Sequence, residues 1–146
     1  MTSPITFRFR LALGFLEEAE QDAALGRWRA CVAHAQLSVE NALKAIIALF
    51  APVPRTHTPT KILSTMLMKG DIPHQDQQDV QKIIGIAQTL DSNAIHAQTD
   101  YGDEFHGLTP WELFSEEDAQ QALTIAQQVM EAATALIQKY NDDYET

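Results

Sequence analysis

Between Gly26 and Pro52 the chain has neither glycine nor proline, and its apolar residues recur at helical spacing. Trp28, Val32, Ala35, Val39, Ala42, Leu43, Ile46, Ile47 and Phe50 form one wide apolar face, which predicts a long helix over 28–50. Pro52 ends it, because proline disfavours helical geometry in the residue before it and has no N–H to donate. The same period predicts a helix over 7–25, with Gly26 as its stop. A short one is predicted over 59–69, with Thr58 as N-cap, Pro59 at the first helical position and Gly70 at the end. After a polar loop at 71–77, a fourth helix is expected to run from about 75 to 97. Residues 99–114 carry Gly102, Gly107 and Pro110 and read as a long ordered loop. The last helix opens at Ser115, whose hydroxyl is placed to cap the amide of Asp118. Its stripe runs Ala119, Ala122, Leu123, Ala126, Val129, Met130, Ala133, Leu136, Ile137, Tyr140. No stretch alternates with a period of two. The expected fold is all-α, an up-and-down bundle of four to five helices. The 146 residues are expected to form one domain with its core over about 8–140, and the acidic tail 141–146 is expected to fray.

Charge is unevenly spread along the chain. Residues 1–61 hold seven basic groups against five acidic, a net of +2; residues 62–146 hold three against fifteen, a net of −12. The overall charge of −10 argues against a large nucleic-acid footprint, since such binding rests on neutralising phosphates. The positive first third leaves room for a small anionic ligand or an acidic partner. A single cysteine, Cys31, excludes an internal disulfide and any thiolate-rich metal site within one chain. At mid-helix it reads as a buried, inert thiol, although it lies three residues before His34. No apolar run approaches the roughly 20 residues that span a bilayer, and the opening MTSPITFRFRLALGF lacks a signal-peptide pattern. A cytoplasmic location and no membrane contact are expected.

Two constellations carry chemistry. Gln36, Glu40 and Lys44, four apart, stack on one helix face, with Glu40 placed N-terminal to Lys44 as an ion pair prefers. The stripe is either a solvated face or a polar seam at a subunit contact, where it would fix partner and register. A second group gathers at His96, Asp100, Tyr101, Asp103, Glu104 and His106. His96, Asp100 and His106 are residue types that bind divalent metals, but acids ahead of a helix more often serve its N-terminal dipole, so no metal is expected. There is no glycine-rich phosphate loop and no nucleophile elbow.

The segment RWRACVAHAQLSVENALKAIIALF resembles the signature helix of the HEPN domains (higher eukaryotes and prokaryotes nucleotide-binding). Gln36, Glu40, Leu43, Lys44 and Ala45 match its pattern, while Asn41 replaces the usual lysine. RTHTPTKIL is similar to the family's Thr-His-x-x-x-x-Leu segment through Thr56, His57 and Leu63. TDYGDE aligns with a stretch that commonly reads Arg-Tyr-Pro-Asp, and SEEDAQQALTIAQQVMEAA with the closing helix. The resemblance covers about residues 8–140. It implies an antiparallel bundle, a homodimer and, in many members, a minimal nucleotidyltransferase as partner. It also implies, in some branches, a metal-independent ribonuclease of toxin–antitoxin systems that uses Arg-x4–6-His late in the bundle.

That late motif is missing. Between Lys82 and Lys139 no basic residue other than histidine occurs, and Asp100 stands where the arginine belongs. A carboxylate there cannot hold a phosphate or stabilise developing negative charge. Arg27 and Arg29 both satisfy the motif's spacing with His34, but in the second helix, the wrong place for the family motif, and read as chance. The expectation is therefore a non-catalytic homodimer that binds a nucleotide, a nucleotidyltransferase, or both, with no resident cofactor. The candidate contacts are Gln36, Glu40, Lys44, Arg55 and His57, with His96, Asp100 and Tyr101 in the loop. The alternatives are a ribonuclease with a displaced site and a plain helical scaffold.

Overall fold

The computed structural model describes residues 3–145, and the side chains of all of these except 93, 94 and 142–145. Its helices are α1 (Pro4–Ala24), α2 (Trp28–Phe50), α3 (Pro59–Lys69), α4 (His74–Ala87), α5 (Asn93–Tyr101), α6 (Pro110–Leu113) and α7 (Glu116–Glu145). No strand occurs among the described residues, so the chain is an all-α bundle.

Helix α2 is the axis of the bundle and packs against α1, α3, α5, α6 and α7. Almost every residue from Cys31 to Ile47 is buried or nearly so. Helix α1 runs antiparallel to it: Arg8 bonds Asn41 at 3.2 Å, Ser38 donates to the Ala12 carbonyl at 2.8 Å, and His34 meets Asp22 at 2.6 Å. A serine hydroxyl can reach a neighbouring helix's backbone only where small residues let the axes approach, and Ala12 and Ala19 are fully buried. His34 also lies 3.1 Å from Glu18 through its other ring nitrogen and stacks on Phe15, which ties the two helices near their turn.

The third wall is α7. From Ala119 to Ile137 its predicted apolar stripe is buried as read, with Tyr140 half-buried beyond it. Ser115 caps the Asp118 amide at 3.3 Å, and the Asp118 carboxylate accepts the Ser115 N–H in return at 2.9 Å, a reciprocal capping box. Near the far end, the buried Asp76 of α4 accepts from the Tyr140 hydroxyl and from Lys139, pinning α4 to α7. Cys31 is fully buried, and its thiol is pushed up to about 11 by that burial and by the charge of Asp22.

Several boundaries differ from expectation. The helix expected over 75–97 is two helices, because Leu90 and Asp91 turn inward and Ser92 caps a new helix through the Ile95 amide at 3.1 Å. The expected loop 99–114 contains the end of α5 and all of α6, which starts from Thr109 and Pro110. Between these helices Gly102 adopts φ +73°, where a Cβ would overlap the Leu108 carbonyl, and Asp103 bridges Leu108. Helix α1 begins at Pro4, earlier than residue 7, with Ser3 accepting from the Thr6 amide. Thr58 occupies the N-cap position of α3 without a side-chain cap bond. The backbone expected to fray from residue 141 stays helical through Glu145; the side chains of 142–145 and all of Thr146 lie outside the described residues.

The close α1–α2 approach makes Ala12 the sharpest steric test of the fold. Ala12→Leu should lower the unfolding free energy by about 1–3 kcal/mol through overpacking, read as a lower urea midpoint at unchanged slope.

A buried polar seam on the second helix

Two turns of α2 put Gln36, Glu40 and Lys44 on the face that meets α3, α5 and the linker 51–58, and all three are buried. Lys44 donates to Glu40 at 3.3 Å, and the two side chains are only 9% and 6% exposed. The stripe is thus neither a solvated face nor a seam between subunits: the chain's own helices bury it, and it is an internal seam. Glu40 uses its other oxygen for His57, whose Nδ1 lies 3.1 Å away. Because an ionised carboxylate only accepts, His57 Nδ1 carries the proton and Nε2 holds the lone pair when the ring is neutral.

His96, from α5, stacks on His57 with ring centroids 4.6 Å apart and planes 19° from parallel. Its Nδ1 lies 3.4 Å from the Gln36 side-chain oxygen. Two imidazoles from different elements are therefore each tethered through Nδ1 to a buried residue of α2. Neither Nε2 has a hydrogen-bond partner among the described residues. His57 is the outer ring, with 60% of its side chain exposed.

Asp91, which sequence reasoning missed, closes the seam from the α4–α5 turn. Its Oδ2 accepts the Thr60 amide at 2.8 Å, so a carboxylate from another element caps α3 in place of Thr58. Burial raises its pKa; the Thr60 bonds and Lys44 pull the other way, and Glu40 adds to the rise. Its Oδ1 and the Nε2 of Gln36 are buried with no partner among the described residues. The one available signal was the polar triplet Asp91-Ser92-Asn93 interrupting an apolar period.

The remaining predicted residues do not join this cluster. Arg55 stands exposed on the linker. Asp100 and Tyr101 lie at the end of α5, where Asp100 meets Arg29 of α2 at 3.6 Å and Tyr101 is 81% exposed. Arg29 also donates to the Thr99 carbonyl at 2.6 Å and lies over the Trp111 ring at 5.9 Å. It is seven residues before Gln36, on the same helix face, whereas the sequence reading weighed it only against His34. His96, Asp100 and His106 do not converge on a common metal: His96 stacks on His57, Asp100 pairs with Arg29, and His106 bonds Asp103 at 2.7 Å. No group of three or more metal-ligating side chains is placed for an ion among the described residues.

Nearly the whole chain matches the model of a known domain family. The HEPN domain family model covers residues 5–136. The chain belongs to the HEPN domain family. No curated protein matches it in sequence. In fold, this HEPN domain is similar to the crystal structure of TT1696 from Thermus thermophilus, with a TM-score of 0.70 at 20% identity over 92% of this chain and 98% of that one. At that identity the likeness speaks for the fold alone. No described helix is long and apolar enough to cross a membrane.

Two outcomes follow from the burial of the seam. Lys44→Ala should cost about 3–5 kcal/mol, because it strands the Glu40 charge, whereas Glu40→Leu with Lys44→Met should recover most of that loss in urea titrations. The second concerns pH. A carboxyl whose pKa is raised in the fold imposes no penalty below its ordinary value of 3.8, and imposes all of it above the raised one. Asp91→Asn keeps an acceptor for Thr60 and removes the charge. Its stability relative to wild type should therefore rise from pH 4 to pH 7, as followed by urea midpoints across that range.

Proposed function

We propose that this HEPN domain is a non-catalytic, homodimeric binding module that takes a nucleotide at the outer lip of the seam, and that it works beside a minimal nucleotidyltransferase in a toxin–antitoxin-like pair. The observation that carries the reading is the His57–His96 stack, whose two Nδ1 atoms are tethered inward so that both Nε2 atoms are left for a ligand. Protonated Nε2–H groups donate charge-assisted hydrogen bonds to phosphate oxygens, and Arg55 on the adjoining linker adds a guanidinium. Lys44 and Glu40 act behind the lip, as the support that orients His57 rather than as ligand contacts. Half-exposed Phe7 and Leu13 on α1 offer apolar surface for self-association.

The non-catalytic part rests on Asp100. A carboxylate stands at the family's arginine position, and the guanidinium that reaches it, Arg29, is neutralised by it. The stacked imidazoles favour a second reading, a ribonuclease with a displaced site, since two histidines can serve as acid and base.

The test is a nucleotide thermal-shift panel with light-scattering mass, with and without a nucleotidyltransferase partner. The expected result is a mass of about twice 16.3 kDa and a nucleotide-dependent rise in melting temperature, lost in His57→Ala and Arg55→Ala. A monomer with no shift from any nucleotide would leave only the fold. RNA cleavage in EDTA that disappears in His57→Ala and His96→Ala would favour the second reading.

A further inference from the structure

The segment from Asp100 to Glu112 holds three large aromatic side chains in water: Tyr101 at 81%, Phe105 at 92% and Trp111 at 73% exposure. Soluble proteins seldom leave such rings on one short stretch without a use for them. The stretch is also built to stay in place. Gly102 and Gly107 take positive φ, the Asp103 and Leu108 backbones exchange two hydrogen bonds of 2.8 Å, and the Asp103 side chain accepts the His106 amide at 3.1 Å. Phe105 is thus presented at the tip of a tied turn.

Arg27 and Arg29 stand beside Trp111, whereas the charged chain neighbours of Tyr101 and Phe105 are acidic. Glu104 and Glu112 are exposed beside them, Glu116, Glu117 and Asp118 open the next helix, and no lysine or arginine occurs between Lys82 and Lys139. A phosphate-bearing ligand is repelled by such a surface, whereas a cation is drawn to it. The chain already shows the preferred guest in miniature: the Arg29 guanidinium lies 3.6 Å from the Asp100 carboxylate and 5.9 Å from the centre of the Trp111 ring. Carboxylate on one side and aromatic face on the other is an arrangement that suits arginine better than lysine.

We infer that the aromatic turn at 100–112 is a docking surface for an arginine-rich segment of a partner protein, with guanidinium groups stacked on Tyr101 and Phe105 and paired with Glu104 and Glu112. The inference uses neither His57 nor His96, so it stands whether or not a nucleotide binds there.

The experiment titrates the full chain with a peptide of six arginines alternating with glycine, and with its lysine counterpart, by calorimetry at low salt. Tyr101→Ser with Phe105→Ser leaves the net charge unchanged and touches only exposed side chains. It should weaken the arginine peptide by about fivefold or more, and the lysine peptide should bind less tightly to wild type. Equal affinity for both peptides, unaltered in the double variant, would mean that the −10 charge alone attracts them and would overturn the inference. A wild-type dimer in sedimentation that the double variant converts to monomer would assign the face to a second copy, and would overturn it equally.

Discussion

A glutamate and a lysine one helical turn apart, both sealed from water at the centre of the longest-buried helix, set the terms for everything around them. An ion pair in that position stands only if its remaining hydrogen-bonding capacity is met nearby. Glu40 meets it by holding His57 on the linker, and Asp91 lies close enough to feel both charges. The linker is therefore anchored to α2 by a polar contact as well as by the apolar packing of Val53, and Asp91 ties the α4–α5 turn to the start of α3. On the other side of α2, α1 and α7 close on small residues.

This division explains why the chemistry collects where it does. A seam that buries Gln36, Glu40, Lys44 and Asp91 exposes only what it holds at its edge, and the edge carries two parallel imidazoles. The tethers fix which direction each ring faces, and the Glu40 carboxylate fixes which nitrogen of His57 carries the proton, a degree of preorganisation that a surface histidine lacks.

The far end of α5 follows a different logic. Asp100 is met by a guanidinium from another helix: Arg29 arrives from α2, where it also ties down the Thr99 carbonyl and underlies Trp111. The result is a braced segment whose carboxylates and rings face outward. The acidic excess of the second half of the chain is thus concentrated on a shaped surface.

Periodicity and punctuation alone determined the helices that bury one continuous face. The ends of α2 and α3 and the capping box of α7 were legible because proline, glycine and serine act on the backbone within a turn of their own position. The Gln36–Glu40–Lys44 stripe was legible as a stripe, and the family pattern along it was sufficient to name the domain. Tertiary structure alone decided whether that stripe faced water, since a helix face is buried or exposed by what packs on it and not by its own residues. It also decided the break at Gln88–Ser92, where a carboxylate needed by α3 outweighed the local helical period. And it brought His57 and His96, thirty-nine positions apart, into one stack, because contact between distant residues is set by how helices cross, which no local spacing records.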